Sequence, residues 1–250
     1  MKLSTFVVSI ALAMSLLLAG PGMAMAQSGK DTNQAIKTVI MDRLQKHKLL
    51  KGNDITVSVH DTVVTIDGTV GTLHQKRQVE HEAKEVAGTY GVVDNIAVKP
   101  IKKSDQDLYA AVVKQLQNNV FYSIFDWVNL DVSNGKVTLT GWVYEPWHKP
   151  QFQHQVERVV GVTSVENKIK VESGSPYDDD IRYKAARLIY DDPFYEAYSS
   201  VPGAPIHIIV NNGDVTLEGT VSTSFQKNWA QNAIYSNTGA FNVYNELRIE

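Results

Sequence analysis

The sequence contains no cysteine, which excludes disulfides, thiolate metal sites, cysteine nucleophiles and lipid attachment through an N-terminal cysteine. It also has no excess of positive charge. There are 24 Lys and Arg residues against 27 Asp and Glu, so no overall basic field attracts nucleic acid. No phosphate-binding loop, nucleophile elbow or HExxH motif is found. These absences favour a protein that is not an enzyme and that needs no cofactor or metal.

Long apolar runs are also missing, except for one at the N-terminus. Residues 6–18 are almost all apolar and follow a positive charge at Lys2. The run is too short for a comfortable membrane span, and the small residues of Ala24-Met25-Ala26 are typical of a signal-peptidase site. We therefore predict a signal peptide over residues 1–26, cleaved before Gln27. The mature chain then has no transmembrane segment; the alternative is a retained anchor helix.

The dominant feature of the remaining sequence is an internal repeat. Residues 55–98 align without a gap with residues 128–171, at an offset of 73, and with residues 206–249, at a further offset of 78. In each copy, two stretches of alternating apolar and polar residues indicate a half-buried β-hairpin. A stretch with helical spacing follows, and then a third alternating stretch. A further amphipathic helix is predicted before each hairpin.

Turn and capping residues mark the boundaries of these elements. Asn134-Gly135 and Asn212-Gly213 are strong hairpin-turn signals, whereas Asp61-Thr62 leaves the turn type of the first copy open. Residues suited to helix starts are Thr72 with Gln75, Thr223 with Gln226 and Glu145-Pro146 for the helix after the hairpin, and Asp31, Ser104 and Ser175 for the helix before it.

The order α-β-β-α-β, repeated three times, defines the expected fold. We predict an α+β protein of three tandem αββαβ modules, each a three-stranded sheet covered on one face by two helices. The modules span residues 31–100, 104–173 and 177–250. Units of about 70 residues are near the lower size limit for a single core, so packing between neighbouring modules is expected to add stability.

The hairpin that ends in glycine, as in Val137-Thr138-Leu139-Thr140-Gly141-Trp142-Val143, resembles the central signature of BON domains, and so does the closing run over residues 161–171. Behind a predicted signal peptide, the three copies are similar to the osmotically inducible, OsmY-like periplasmic family. This resemblance implies a periplasmic protein of the Gram-negative envelope, associated with osmotic and envelope stress, whose modules bind phospholipid surfaces. One cytoplasmic relative is linked with potassium sensing. The resemblance brings no catalytic residues.

Differences between the copies indicate a binding surface on the second module. Trp142 aligns with threonines in both sister copies, and Trp127 aligns with Asp54 and Pro205, so large rings stand where the other copies are polar or in a loop. Exposed aromatic rings of this kind are typical of a binding or membrane-interface surface. The candidate residues for contact with lipid or a partner are Phe121, Tyr122, Phe125, Trp127 and Trp142. The alternative is that these rings pack between modules.

Our leading hypothesis is a periplasmic protein, peripheral to a membrane, whose second module binds an anionic phospholipid surface. A protein–protein scaffold in the envelope and a sensor of a small ion or ligand are the alternatives. His74 and His81 share a helix face, but no carboxylate pattern completes a metal-ligand set around them. The acidic run Asp178-Asp179-Asp180 is interpreted as negative charge at a helix N-terminus.

Overall fold

The structure, a computed structural model, describes residues 21–86, 91–101, 103–117, 121–172, 174–195 and 205–250. Most of the predicted signal peptide lies outside these residues. Within them, no helix combines the length and the apolar character needed to cross a membrane.

Each of the three modules follows the predicted order of elements. The first contains α1 (Pro21–Lys46), β1 (Asp54–His60), β2 (Val63–Val70), α2 (Leu73–Lys84) and β3 (Gly91–Val98). The second contains α3 (Asp105–Gln117), β4 (Trp127–Ser133), β5 (Lys136–Val143), α4 (His148–Glu157), β6 (Ser164–Asn167) and β7 (Lys170–Val171). The third contains α5 (Pro176–Tyr190), a 3₁₀ turn (Pro193–Tyr195), β8 (Ile206–Asn211), β9 (Asp214–Val221), α6 (Ser224–Thr238), β10 (Asn242–Asn245) and β11 (Arg248–Ile249).

The sheets share one topology. In each module the first two strands pair antiparallel as a hairpin, and the closing strand pairs parallel with the second strand, which is therefore central. Both helices contribute buried residues to the core beneath their sheet; in the first module these include Ile40 from α1 and Val79 from α2, packed with Val57 and Ile66. The prediction of an α+β protein built from αββαβ modules is confirmed.

One glycine recurs at the same place in all three hairpins. Gly68, Gly141 and Gly219 have φ angles of 139°, 111° and 112°, a region that L side chains rarely adopt. A Cβ atom on Gly141 would lie 2.0 Å from the carbonyl oxygen of Trp127, and the corresponding distances in the sister modules are 1.9 and 2.0 Å. The glycine of the repeat is therefore required because the backbone of the neighbouring strand passes directly over it.

A polar side chain in the first helix of each module binds the hairpin turn. In the third module, Asp178 is buried and accepts hydrogen bonds from the backbone N–H groups of Asn212 (3.0 Å) and Gly213 (2.7 Å). The equivalent bonds run from Asn134 N to Asp105 Oδ2 (3.0 Å) and from Thr62 N to Asn33 Oδ1 (3.0 Å). Asp178 thus binds the hairpin turn. Its position in the sequence predicted only a negative charge at the helix N-terminus.

The turn type left open in the first copy is the same as in the others. Asp61 and Thr62 both have positive φ, 48° and 64°, as the Asn-Gly turns do. Positive φ is unfavourable for a β-branched residue such as Thr62. The hydrogen bond from its backbone N–H to Asn33 helps to hold this conformation.

Two expected helix starts are wrong. The helix that contains Asp31 spans Pro21–Lys46, so Asp31 lies inside a helix and not at its start. α4 begins at His148, two residues after Pro146. Glu145 and Pro146 instead form a turn that is closed by a hydrogen bond of 2.9 Å from His148 N to Glu145 O.

The closing strand is interrupted in the second and third modules but continuous in the first. Asn167 donates to the Lys149 carbonyl on α4 (2.9 Å), and Asn245 makes the matching bond to Lys227 on α6 (2.7 Å). The aligned residue of the first module is Asp94, whose carboxylate pairs with Lys76 of α2 at 3.1 Å. In each module, a side chain of the closing strand therefore binds the helix that precedes it. In the second and third modules this side chain is an asparagine at the position where the strand is interrupted.

Candidate functional site

The segment between α3 and β4, which carries most of the predicted contact residues, is folded around the buried carboxylate of Asp126. Its Oδ2 accepts hydrogen bonds from the backbone N–H (3.0 Å) and hydroxyl (2.9 Å) of Ser123. Its Oδ1 accepts from the backbone N–H of Tyr144 at 3.1 Å, and His148 Nδ1 lies 3.0 Å away. The segment is thus tied to the end of β5 and the start of α4.

The same segment docks on the edge strand of the third module. Ile208 N donates to the Ile124 carbonyl at 2.8 Å, and His207 Nδ1 lies 3.2 Å from the Ser123 carbonyl. The His207 ring lies 5.1 Å from the ring of Tyr122 and 5.0 Å from that of Trp127, measured between centroids. The backbone of the second module therefore covers part of an otherwise open sheet edge.

Phe125 also faces the third module. Its ring makes edge contacts with Tyr144 at 5.9 Å and with Tyr183 of α5 at 5.8 Å. A hydrogen bond with Tyr183 is the main cause that raises the pKa of Tyr144 to about 12. The rings of Tyr122, Phe125 and Trp127 thus each contact the third module, as in the alternative of packing between modules that the sequence left open.

The two tryptophans singled out by the repeat are directly opposite each other. Trp127 on β4 pairs in register with Trp142 on β5, and both are half-buried. The ammonium group of Lys170 lies 5.0 Å from the centre of the Trp142 ring, a cation–π contact. The hairpin therefore brings these two predicted residues together.

An exposed aromatic pair lies at the entrance to this segment. Phe121 and Trp147 are each 47% exposed, and their rings meet edge to face at 5.1 Å. Trp147 aligns with Phe225 of the third copy, so the repeat does not mark it as distinctive. Its pairing with Phe121, 26 positions away, depends on the tertiary fold.

An apolar cleft opens between α3 and β4. It has a volume of about 410 Å³. Tyr122 and Trp127 form part of its wall, and burial raises the pKa of the Tyr122 hydroxyl to about 12. Other members of the lining are Tyr109, Val113, Leu116, Gln117, Val128, Asn129, Leu130, Phe152 and Arg248. Arg248 comes from β11, so the third module places a cation on the rim of a cleft in the second.

The described part of the chain contains no group of three or more His, Asp or Glu residues placed to hold a metal ion. The pKa of His74 is lowered, mainly by burial and then by Arg158 of the second module.

Three tandem αββαβ modules with a shared hairpin glycine define a repeat protein of small α+β domains. The BON domain model matches residues 32–100, 104–173 and 194–250. The chain belongs to the BON domain family. The third match begins after α5, yet Ile181 and Ala185 of that helix pack in the third core.

Osmotically-inducible protein Y of Escherichia coli (strain K12) is 27% identical to this chain over 148 residues, which cover 56% of this chain and 73% of that protein. Two structures of CdsD, a structural protein of the type III secretion system of Chlamydia trachomatis, are 12% identical. The two alignments each cover 85% of this chain, and they cover 96% and 91% of the CdsD chains. The TM-score is 0.25 for both.

Proposed function

We propose that this is an exported, non-enzymatic protein of the periplasm whose second module binds phospholipid surfaces and supports the envelope under osmotic stress. The N-terminal apolar run followed by small residues supports export. Membership of the BON family, and a relative whose name records osmotic induction, support the role in the envelope.

The observation that carries the proposal is the apolar cleft with the exposed Phe121–Trp147 pair on the same module. Tyr and Trp rings are favoured at membrane–water interfaces, since one end of the ring is apolar and the other polar. Arg248 on the rim supplies a positive charge for an anionic headgroup. The contact is therefore peripheral, with rings entering the headgroup region while the module stays folded.

The test is flotation of residues 27–250 with vesicles that contain anionic phospholipid. The double variant Phe121→Ser/Trp147→Ser replaces two rings that are each 47% exposed. The matched control is Tyr235→Ser/Tyr244→Ser in the third module, whose rings are 61% and 50% exposed. Circular dichroism checks that all three proteins are folded.

We expect the wild type and the control to float and the Phe121→Ser/Trp147→Ser variant to stay at the bottom. Binding should weaken as salt rises from about 0.1 M to about 1 M, because surface charges are screened over shorter distances. Equal flotation of wild type and variant would place the lipid contact elsewhere. If nothing floats, lipid binding is wrong, and a protein–protein scaffold becomes the better hypothesis.

A further inference from the structure

The junction between the second and third modules is built around the carboxylate of Glu172, which directly follows β7. Its backbone N–H continues the sheet of the second module by donating to the Val143 carbonyl at 2.9 Å. Its side chain, by contrast, is bound by groups of the third module. Oε2 accepts hydrogen bonds from Val210 N on the edge strand β8 (2.9 Å) and from Arg182 Nη2 on α5 (2.9 Å). One side chain therefore joins two modules.

The buried charges at this junction do not balance. Arg182 is fully buried, binds Asp179 as well as Glu172, and lies under the Tyr144 ring at 4.2 Å. Asp126, which is also buried, acts on Glu172 as a further negative charge.

His148 pairs with Asp126 at 2.9 Å. Three carboxylates thus face one guanidinium and one imidazole, so negative charge exceeds positive charge even when the imidazole is protonated. Within the described residues, Glu172 Oε1 is one of two buried side-chain oxygens or nitrogens with no hydrogen-bond partner. Ionised Glu172 is therefore the poorly satisfied member of the cluster.

We propose that Glu172 is a proton-operated latch between the second and third modules: protonation of its carboxyl group strengthens docking, and ionisation weakens it. The contact between Ile124 and Ile208 does not depend on this carboxyl. Titration therefore changes how tightly the third module is held and leaves the fold of each module intact.

The direction in which pH changes docking follows from the linkage between proton binding and docking. Burial raises the pKa of Glu172 from 4.5 to about 7, against the opposing effects of the Val210 N–H and Arg182. In the separated state water reaches the carboxyl, and its pKa returns to the ordinary value. The docked state binds the proton more tightly, so the added stability is complete below about pH 4.5 and is lost as pH rises to about 7. The docking constant should fall by at most roughly three-hundredfold across that window.

The natural absence of cysteine makes the test direct, because two introduced cysteines are the only labelling sites. Thr140→Cys on the second module and Tyr235→Cys on the third are exposed positions for a pair of spin labels. Distance distributions are measured on the full mature chain between about pH 5 and about pH 8. Glu172→Gln mimics the protonated acid, and Asp180→Asn, at an exposed position on α5, is the matched control.

We expect a single docked distance at pH 5 and a second, broader population that grows as pH rises towards 8. Glu172→Gln should stay docked throughout, whereas Asp180→Asn should respond like the wild type. A wild-type distribution that does not change with pH, or that tightens as pH rises, overturns the proposal. So does a Glu172→Gln variant that keeps the wild-type response, which would assign the effect to another group such as His207.

A second measurement needs no substitution. The backbone N–H of Val210 is bonded to Glu172, so its protection from hydrogen exchange reports the latch directly. After correction for the intrinsic effect of pH on exchange, protection should fall between pH 5 and pH 8. Constant protection would reject the latch even if Glu172→Gln does not fold.

Discussion

Replacement of Gly141 by alanine should destabilise the second module by about 2–5 kcal/mol. A non-glycine residue held at a φ of 111° carries strain of about 1–3 kcal/mol. The added Cβ would also lie 2.0 Å from the Trp127 carbonyl oxygen, far inside van der Waals contact. Relief of this clash requires β4 and β5 to separate locally. Each ladder hydrogen bond lost in that way costs about 1 kcal/mol more.

Urea unfolding followed by tryptophan fluorescence measures this effect well, because three of the four tryptophans lie between positions 127 and 147 and report on the second module. The matched control is Gly174→Ala, where a Cβ meets no atom within 4 Å and φ is not positive. The control should change the free energy of unfolding by less than about 0.5 kcal/mol. If Gly141→Ala costs no more than Gly174→Ala, the steric explanation of the repeated glycine is wrong.

Two further substitutions test other parts of the framework. Asp126→Ala removes the buried acceptor of several N–H groups and the partner of His148, so thermal unfolding should show a loss of about 3–5 kcal/mol. The exposed Asp131→Ala is its control, and an equal loss there would contradict the argument. Thr72→Ala breaks the capping box of α2 and should cost about 1 kcal/mol in urea unfolding. A loss no greater than that of Ser58→Ala, at an exposed strand position, would show that the cap contributes little.

The fold was largely predictable because three aligned copies constrain one another. A stretch in which apolar and polar residues alternate in all three copies predicts a β-strand. The hairpin glycine could be recognised because it recurs at the same aligned position. Helix starts were less predictable, since they depend on local competition between caps. Asp31 is a good N-cap residue, but the helical segment that precedes it continues straight through. Pro146 suits a first turn, but the chain uses it in a tight turn before α4.

The candidate site was only partly visible in the sequence. Trp127 and Trp142 could be found because the sister modules have small or polar residues at those positions. Trp147 and Arg248 could not, since their relevance comes from neighbours that are distant in the chain. Glu172 lies at the end of the second module, and its sequence neighbours do not indicate that its side chain is buried against an arginine of the next module.

The proposed lipid site and the proposed latch share one segment of the chain, so the two proposals predict that lipid binding and docking are coupled. The segment around Asp126 presents Tyr122 and Trp127 to the cleft and also binds the edge of β8 through Ile124. The third module, once docked, places Arg248 on the rim of the same cleft. A ligand whose anionic group contacts Arg248 therefore binds the docked state more tightly than the separated one. By reciprocity it must strengthen docking by the same factor, and it must also increase the proton affinity of the junction carboxylate.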